Sequence, residues 1–183
     1  EAERVLAALA QGTHSLRSGQ AHSLRSGQAP VFFEIPLSGD GGPTDLGPLL
    51  EVLKAQGASA KVRTGGLNPE AVPTAASLAR FLCACAEAGV AFKATAGLHH
   101  PVRSVQAFTS SPDSPRGTMH GFLNVFVAAA LVGEGLPAAD AERLLLEERP
   151  GAFVFLGDSV AWEGHRVAAA TLARFRRTRS ATP

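Results

Sequence analysis

Between residues 31 and 133 one pattern recurs three times: a short apolar run, a break at glycine or proline, then apolar residues at helical spacing. The first unit is VFFEIP (31–36), a loop over 39–43 with Thr44 or Asp45 able to cap, and Leu46, Leu49, Leu50 and Leu53 leading to Gly57. The second is AKVRT (60–64), a loop over 65–73, and a helix from Thr74 with Leu78, Phe81, Leu82 and Cys85 on one face, ended by Gly89. The third is VAFKATA (90–96), a long loop, and a helix with Phe122, Val125, Phe126 and Ala129, closed by Gly133. Strands separated by crossovers of a dozen or more residues pair in parallel. The pattern therefore predicts an α/β protein with parallel strands at 31–35, 61–64 and 92–96, adjacent in that order and each followed by a helix packed outside.

The rest of the chain is less regular. Pro137 is expected to start a helix reaching residue 148, GAFVFLGDSVAWEGHRV (151–167) gives two β-type runs broken at Gly157-Asp158-Ser159, and a helix runs from 167 to about 177. Ahead of the first strand, 1–11 is read as a short helix. HSLRSGQA at 14–21 recurs unchanged at 22–29, so 13–29 is read as a flexible duplicated loop. The whole of 1–183 is taken as one α/β domain, since a chain of this length with 45% hydrophobic residues can fill one core.

Charge excludes some partners. Seventeen basic and 16 acidic side chains are spread along the chain, so no nucleic-acid partner is expected. The arginines at 174, 176, 177 and 179 read as a solvated helix end. No apolar stretch of about 20 residues and no basic-then-apolar leader is present, so no membrane partner is expected. Cys83 and Cys85, two apart in a helical pattern, point in different directions and read as small apolar residues in a reducing, cytoplasmic setting.

Alternation along the strands separates two faces. Ala60, Val62 and Thr64, with Phe92, Ala94 and Ala96, suit packing under helices. Glu34, Lys61, Arg63, Lys93 and Thr95 share the other face. A doubly wound sheet would bury those charges, whereas a barrel mouth keeps them wet, so the units are expected to form part, about half, of a TIM-type barrel. A whole barrel takes about 250 residues. Open strand edges then make a homo-oligomer possible.

The chain uses 14 arginines and only three lysines, two of which, Lys61 and Lys93, occupy matching positions of consecutive strands. An amine, unlike a guanidinium, can lose a proton and attack a carbonyl. This suggests a small carbonyl or carboxylate substrate with Lys61 as nucleophile, Lys93 as the neighbouring cation that favours its neutral form, and Glu34 as proton shuttle, with no cofactor. Arg63 and Arg103 could clamp an anion, and Thr95, His99, His100, His120 and Asn124 are further substrate-binding candidates, the last two placed one helical turn apart. A metal-dependent hydrolase using His99, His100 and His120 with Glu34 is a second possibility. A non-catalytic α/β protein, its lysines in an ion-pair network, is a third.

The motifs KxRTGG and FKATAGLHHP, followed by HGFLN, resemble those of a bacterial protein family without an established activity, from about Phe32 to the final helix. More distantly, the order of elements is similar to the C-terminal half of class I deoxyribose-phosphate aldolases, which are TIM barrels. Lys61-Val62-Arg63-Thr64-Gly65 resembles their Schiff-base strand, and Lys93-Ala94-Thr95-Ala96-Gly97-Leu98 the strand after it. The resemblance implies a lyase in which Lys61 forms the imine beside Lys93. Arg63 stands where those enzymes have a small residue, His99 and His100 follow the second glycine, and Gly157-Asp158-Ser159 places an aspartate about where they bind phosphate.

Overall fold

A computed structural model describes residues 31–37 and 43–178, with side chains to residue 173. The predicted helix at 1–11, the duplicated loop at 13–29, most of the 39–43 loop and the side chains of the last four arginines lie outside the described residues.

Three short strands, β1 (Phe32–Glu34), β2 (Ser59–Arg63) and β3 (Phe92–Thr95), form a parallel sheet in that order. Glu34 pairs with Lys61, Lys61 with Lys93, and Arg63 with Thr95. Helix α1 (Gly47–Ala55) connects β1 to β2, and α2 (Ala75–Ala88) connects β2 to β3. Thr74 caps α2 as its spacing suggests, its Oγ1 accepting from Ser77 N at 3.1 Å. Gly89, at φ 68°, ends it in the left-handed conformation that glycine adopts without strain. At α1 the expected cap is displaced: Leu46 occupies the N-cap, and Asp45 instead accepts from Gly47 N at 2.9 Å.

Ile35, Ala60, Val62 and Phe92 are buried with Leu50 and Leu53 of α1 and Leu78, Phe81 and Leu82 of α2 in one apolar cluster. The rings of Phe81 and Phe92 meet edge to face at 5.3 Å between centroids. Both helices thus cover one face of the sheet, and the polar set lies on the other.

Parallel pairing among the described residues stops at β3, and here the third predicted unit is corrected. The segment read as one long loop contains an antiparallel hairpin, β4 (Ser104–Ala107) and β5 (Arg116–Met119). Helix α3 (Phe122–Val132) follows, buried at eight of its 11 positions and therefore apolar almost all round, as a core helix must be. Helix α4 (Ala138–Leu145) ends earlier than expected and packs on α2 and α3.

The two β-type runs expected at 151–167 are three strands, β6 (Val154–Leu156), β7 (Ser159–Trp162) and β8 (His165–Ala168), in an antiparallel meander. The extra turn is Glu163-Gly164, with φ of 43° and 83°. Two left-handed residues in a row match the twist of a tight hairpin. Helix α5 (Ala169–Thr178) packs against α3, and the core continues through Val125, Leu144, Trp162 and Val167.

Candidate functional site

The side chains of Glu34, Lys61 and Lys93 form one row across the face of the parallel sheet opposite α1 and α2, with Arg63 and Thr95 in the next row towards the carboxyl ends. Lys61 Nζ lies 2.6 Å from Glu34 Oε2, in an ion pair whose side chains are 28% and 42% exposed. Lys93 makes a different contact: its Nζ sits 4.3 Å from the centroid of the Phe32 ring. Phe32 lies on this face two residues before Glu34, and a cation is attracted to the negative face of its ring. Arg63 is exposed, and Thr95 Oγ1 donates to Val62 O at 3.3 Å.

The strand ends are locked from the opposite face. Thr64 is wholly buried, and its hydroxyl reaches Ala96 O at 2.5 Å and Thr95 O at 3.3 Å. Ala96 is left-handed at φ 63°, a strained conformation for an alanine, and this hydrogen bond holds its carbonyl. Gly65 and Gly97 touch backbone to backbone, since a Cβ on Gly65 would stand 2.8 Å from Gly97 Cα. The Thr64-Gly65-Gly66 and Ala96-Gly97 stretches are the sequence trace of this close approach, although Thr64 read only as a core-facing position.

From Gly97 the chain carries His99, exposed, and His100, half-buried. The carbonyls of His100 and Pro101 accept from Phe122 N and Leu123 N at 2.9 Å, tying this loop to the first turn of α3. The remaining predicted site residues are engaged elsewhere. Arg103 gives its backbone N–H to Asn124 Oδ1 and its guanidinium to Glu148, Nε to Oε1 at 3.3 Å, so its charge is already paired.

Asn124, fully buried, also donates to Leu144 O and Glu147 O, both at 2.8 Å. His120 is fully buried with Nε2 on Pro73 O at 2.8 Å, and among the described residues Nδ1 has no partner within hydrogen-bond distance. Burial pushes this imidazole below its ordinary value and the nearby Arg103 charge adds to the effect, against the pull of the Pro73 carbonyl. His120 precedes α3, whose N-cap is Gly121, so it and Asn124 do not share a helical face as expected. Among the described residues no group of three His, Cys, Asp or Glu side chains could hold a metal ion.

A second polar cluster joins α4 to the meander. Glu147, 8% exposed, accepts from Arg149 at N, Nε and Nη2 (2.9, 2.9 and 2.8 Å) and from Trp162 Nε1 at 3.3 Å. The Arg149 guanidinium, chiefly, holds its carboxyl down at about 2. Arg143 bridges Asp140 and Glu163 and lies over the Trp162 ring. In the β6–β7 turn, Asp158 is held low by the Ser159 hydroxyl and by Arg166, 2.8 Å away. These groups satisfy one another and form a fastening between elements.

Among the described residues no helix is long and apolar enough to cross a membrane. Compared with protein-family models, curated proteins and solved structures, the chain matches none.

Proposed function

We propose that the polar face of the β1–β2–β3 sheet binds a small carbonyl or carboxylate compound and that an amine of the Lys61–Lys93 pair forms a Schiff base with it, a lyase-like activity needing no cofactor. The observation that carries this reading is the row Glu34–Lys61–Lys93 across one face of the parallel strands, with Arg63 and Thr95 beyond it at the carboxyl ends, where α/β sheets bind ligands. The two amines stand on adjacent strands about 4.8 Å apart, so one small ligand can reach both. Glu34, 2.6 Å from Lys61, is placed to take and return protons. Arg63, exposed beyond the lysines, offers a paired donor to a carboxylate.

We further read the three parallel strands as a segment of a TIM-type (β/α) barrel. The support is that both intervening helices cover one face while the charges lie on the other, as lumen and exterior do in a barrel.

Incubation with acetaldehyde, propanal and pyruvate in turn, reduction with borohydride and intact-mass measurement tests the activity. One reduced adduct per chain, lost in a Lys61→Met, Lys93→Met double variant that still folds, is expected. Labelling that persists in that variant would make Glu34, Lys61, Lys93 and Phe32 a structural network in a non-catalytic protein.

A further inference from the structure

We infer that the amine which forms the imine is Lys93 and that Lys61 is the positioning cation beside it, the reverse of the order the aldolase-like motif implies. This rests on the Schiff-base reading above. A nucleophilic amine needs an available lone pair. Lys61 is fastened to Glu34 Oε2 at 2.6 Å, and a charge-assisted bond of that length is made by the ammonium form. Lys93 is held differently: among the described residues no carboxylate lies within 4 Å of its Nζ, which rests on the Phe32 ring. The ring shields one side of the amine from water and accepts no conventional hydrogen bond. A ring face favours the ammonium less than a carboxylate in direct contact does.

The two lysines are direct register partners, so Lys61 stands beside Lys93 at the closest spacing a parallel sheet allows. Glu34 therefore selects which amine reacts by fixing the proton on Lys61. The half-buried Lys93 remains open to a small ligand.

The chemistry balances without any further reactant. The Lys93 Nζ lone pair attacks the carbonyl carbon, and the π pair of the C=O bond moves to oxygen. That oxygen takes a proton from the Lys61 ammonium, which Glu34 and solvent restore, while Nζ loses one proton to solvent. Protonation of the hydroxyl and departure of water then leave the iminium, the sum being amine plus carbonyl plus one proton giving iminium plus water. Borohydride adds hydride to the iminium carbon and fixes the adduct as a secondary amine.

The test is peptide mapping of the borohydride-reduced wild-type protein after incubation with acetaldehyde or pyruvate, with Lys54 on the exposed side of α1 as internal reference. Adduct at Lys93 about ten-fold above that at Lys61 is expected, equivalent to one decade in rate. Glu34→Gln should move label towards Lys61, and Lys61→Met should keep the adduct on Lys93 while slowing its formation. Label chiefly on Lys61 in the wild type, or an unchanged distribution in Glu34→Gln, would overturn this assignment and leave the Schiff-base reading standing. Label at neither lysine above the level of Lys54 would remove that reading as well.

Discussion

Replacing Asn124 by leucine, which keeps the volume and removes the polar atoms, isolates what a buried amide does at the centre of this fold. The wild-type side chain joins three elements through three backbone groups: the N–H of Arg103 ahead of β4, and the carbonyls of Leu144 in α4 and Glu147 after it. The side chain is fully buried, so water cannot take over the abandoned partners. A buried backbone group left unpartnered costs about 1–3 kcal/mol. Leu144 O keeps its backbone bond from Glu147 N at 3.2 Å, so Arg103 N and Glu147 O are the two groups left, and together they give about 2–5 kcal/mol.

For a domain of this size about 1 kcal/mol lowers Tm by roughly 2–4 °C, so a drop of about 10 °C is expected. Differential scanning calorimetry and urea unfolding measure it, at unchanged adduct formation on the sheet lysines in the folded fraction. Asn124→Asp should be at least as damaging, because it keeps the acceptor for Arg103 N and sets a carboxylate against two carbonyl oxygens. A loss below about 1 kcal/mol for Asn124→Leu would refute the satisfaction argument. A selective loss of ligand binding at full stability would return Asn124 to the substrate-binding role its sequence position suggested.

Glu147→Gln should remove a stabilisation that is present above the ordinary carboxylate value near 4.5 and is lost as pH falls towards about 2. The full shift corresponds to about 3 kcal/mol, and the 73% exposure of Arg149 reduces this to about 1–2 kcal/mol. Trp162 fluorescence across an acid titration follows it, and an acid transition identical in wild type and variant would count against the clamp. His120, whose folded value is lowered, binds its proton more readily when unfolded, so stability should fall as pH drops below about 6.5. Urea midpoints between pH 8 and 5 should show that slope, absent in a folded His120→Asn variant, and a flat wild-type profile would contradict it. Gly65→Ala forces a Cβ to 2.8 Å from Gly97 Cα, and should cost clearly more than Gly89→Ala, which meets nothing within 4 Å among the described residues and strains only one φ by about 1 kcal/mol. Equal Tm values for the two variants would mean that the strand ends are not in contact.

The parallel strands, α1, α2 and the Thr74 and Gly89 ends of α2 were legible in the sequence because each is set by neighbours a few residues away: alternation, helical period and cap chemistry. Alternation also separated Lys61, Arg63, Lys93 and Glu34 from the apolar face, and parallel order then made the lysines register partners. The β4–β5 hairpin escaped because its four-residue strands carry little apolar signal, and the third strand of the meander because Glu163-Gly164 is an uncommon pair for two left-handed positions. Which partner each polar side chain takes was decided only by tertiary structure. Asn124 reaches 20 residues on to Leu144 O, His120 reaches 47 residues back to Pro73 O, and Arg103 finds Glu148 across 45. Composition and spacing mark such residues as chemically able, but a hydrogen bond has a range of about 3 Å. Only the folded chain determines what lies within it, and here it assigns Glu34 to Lys61 and the Phe32 ring to Lys93.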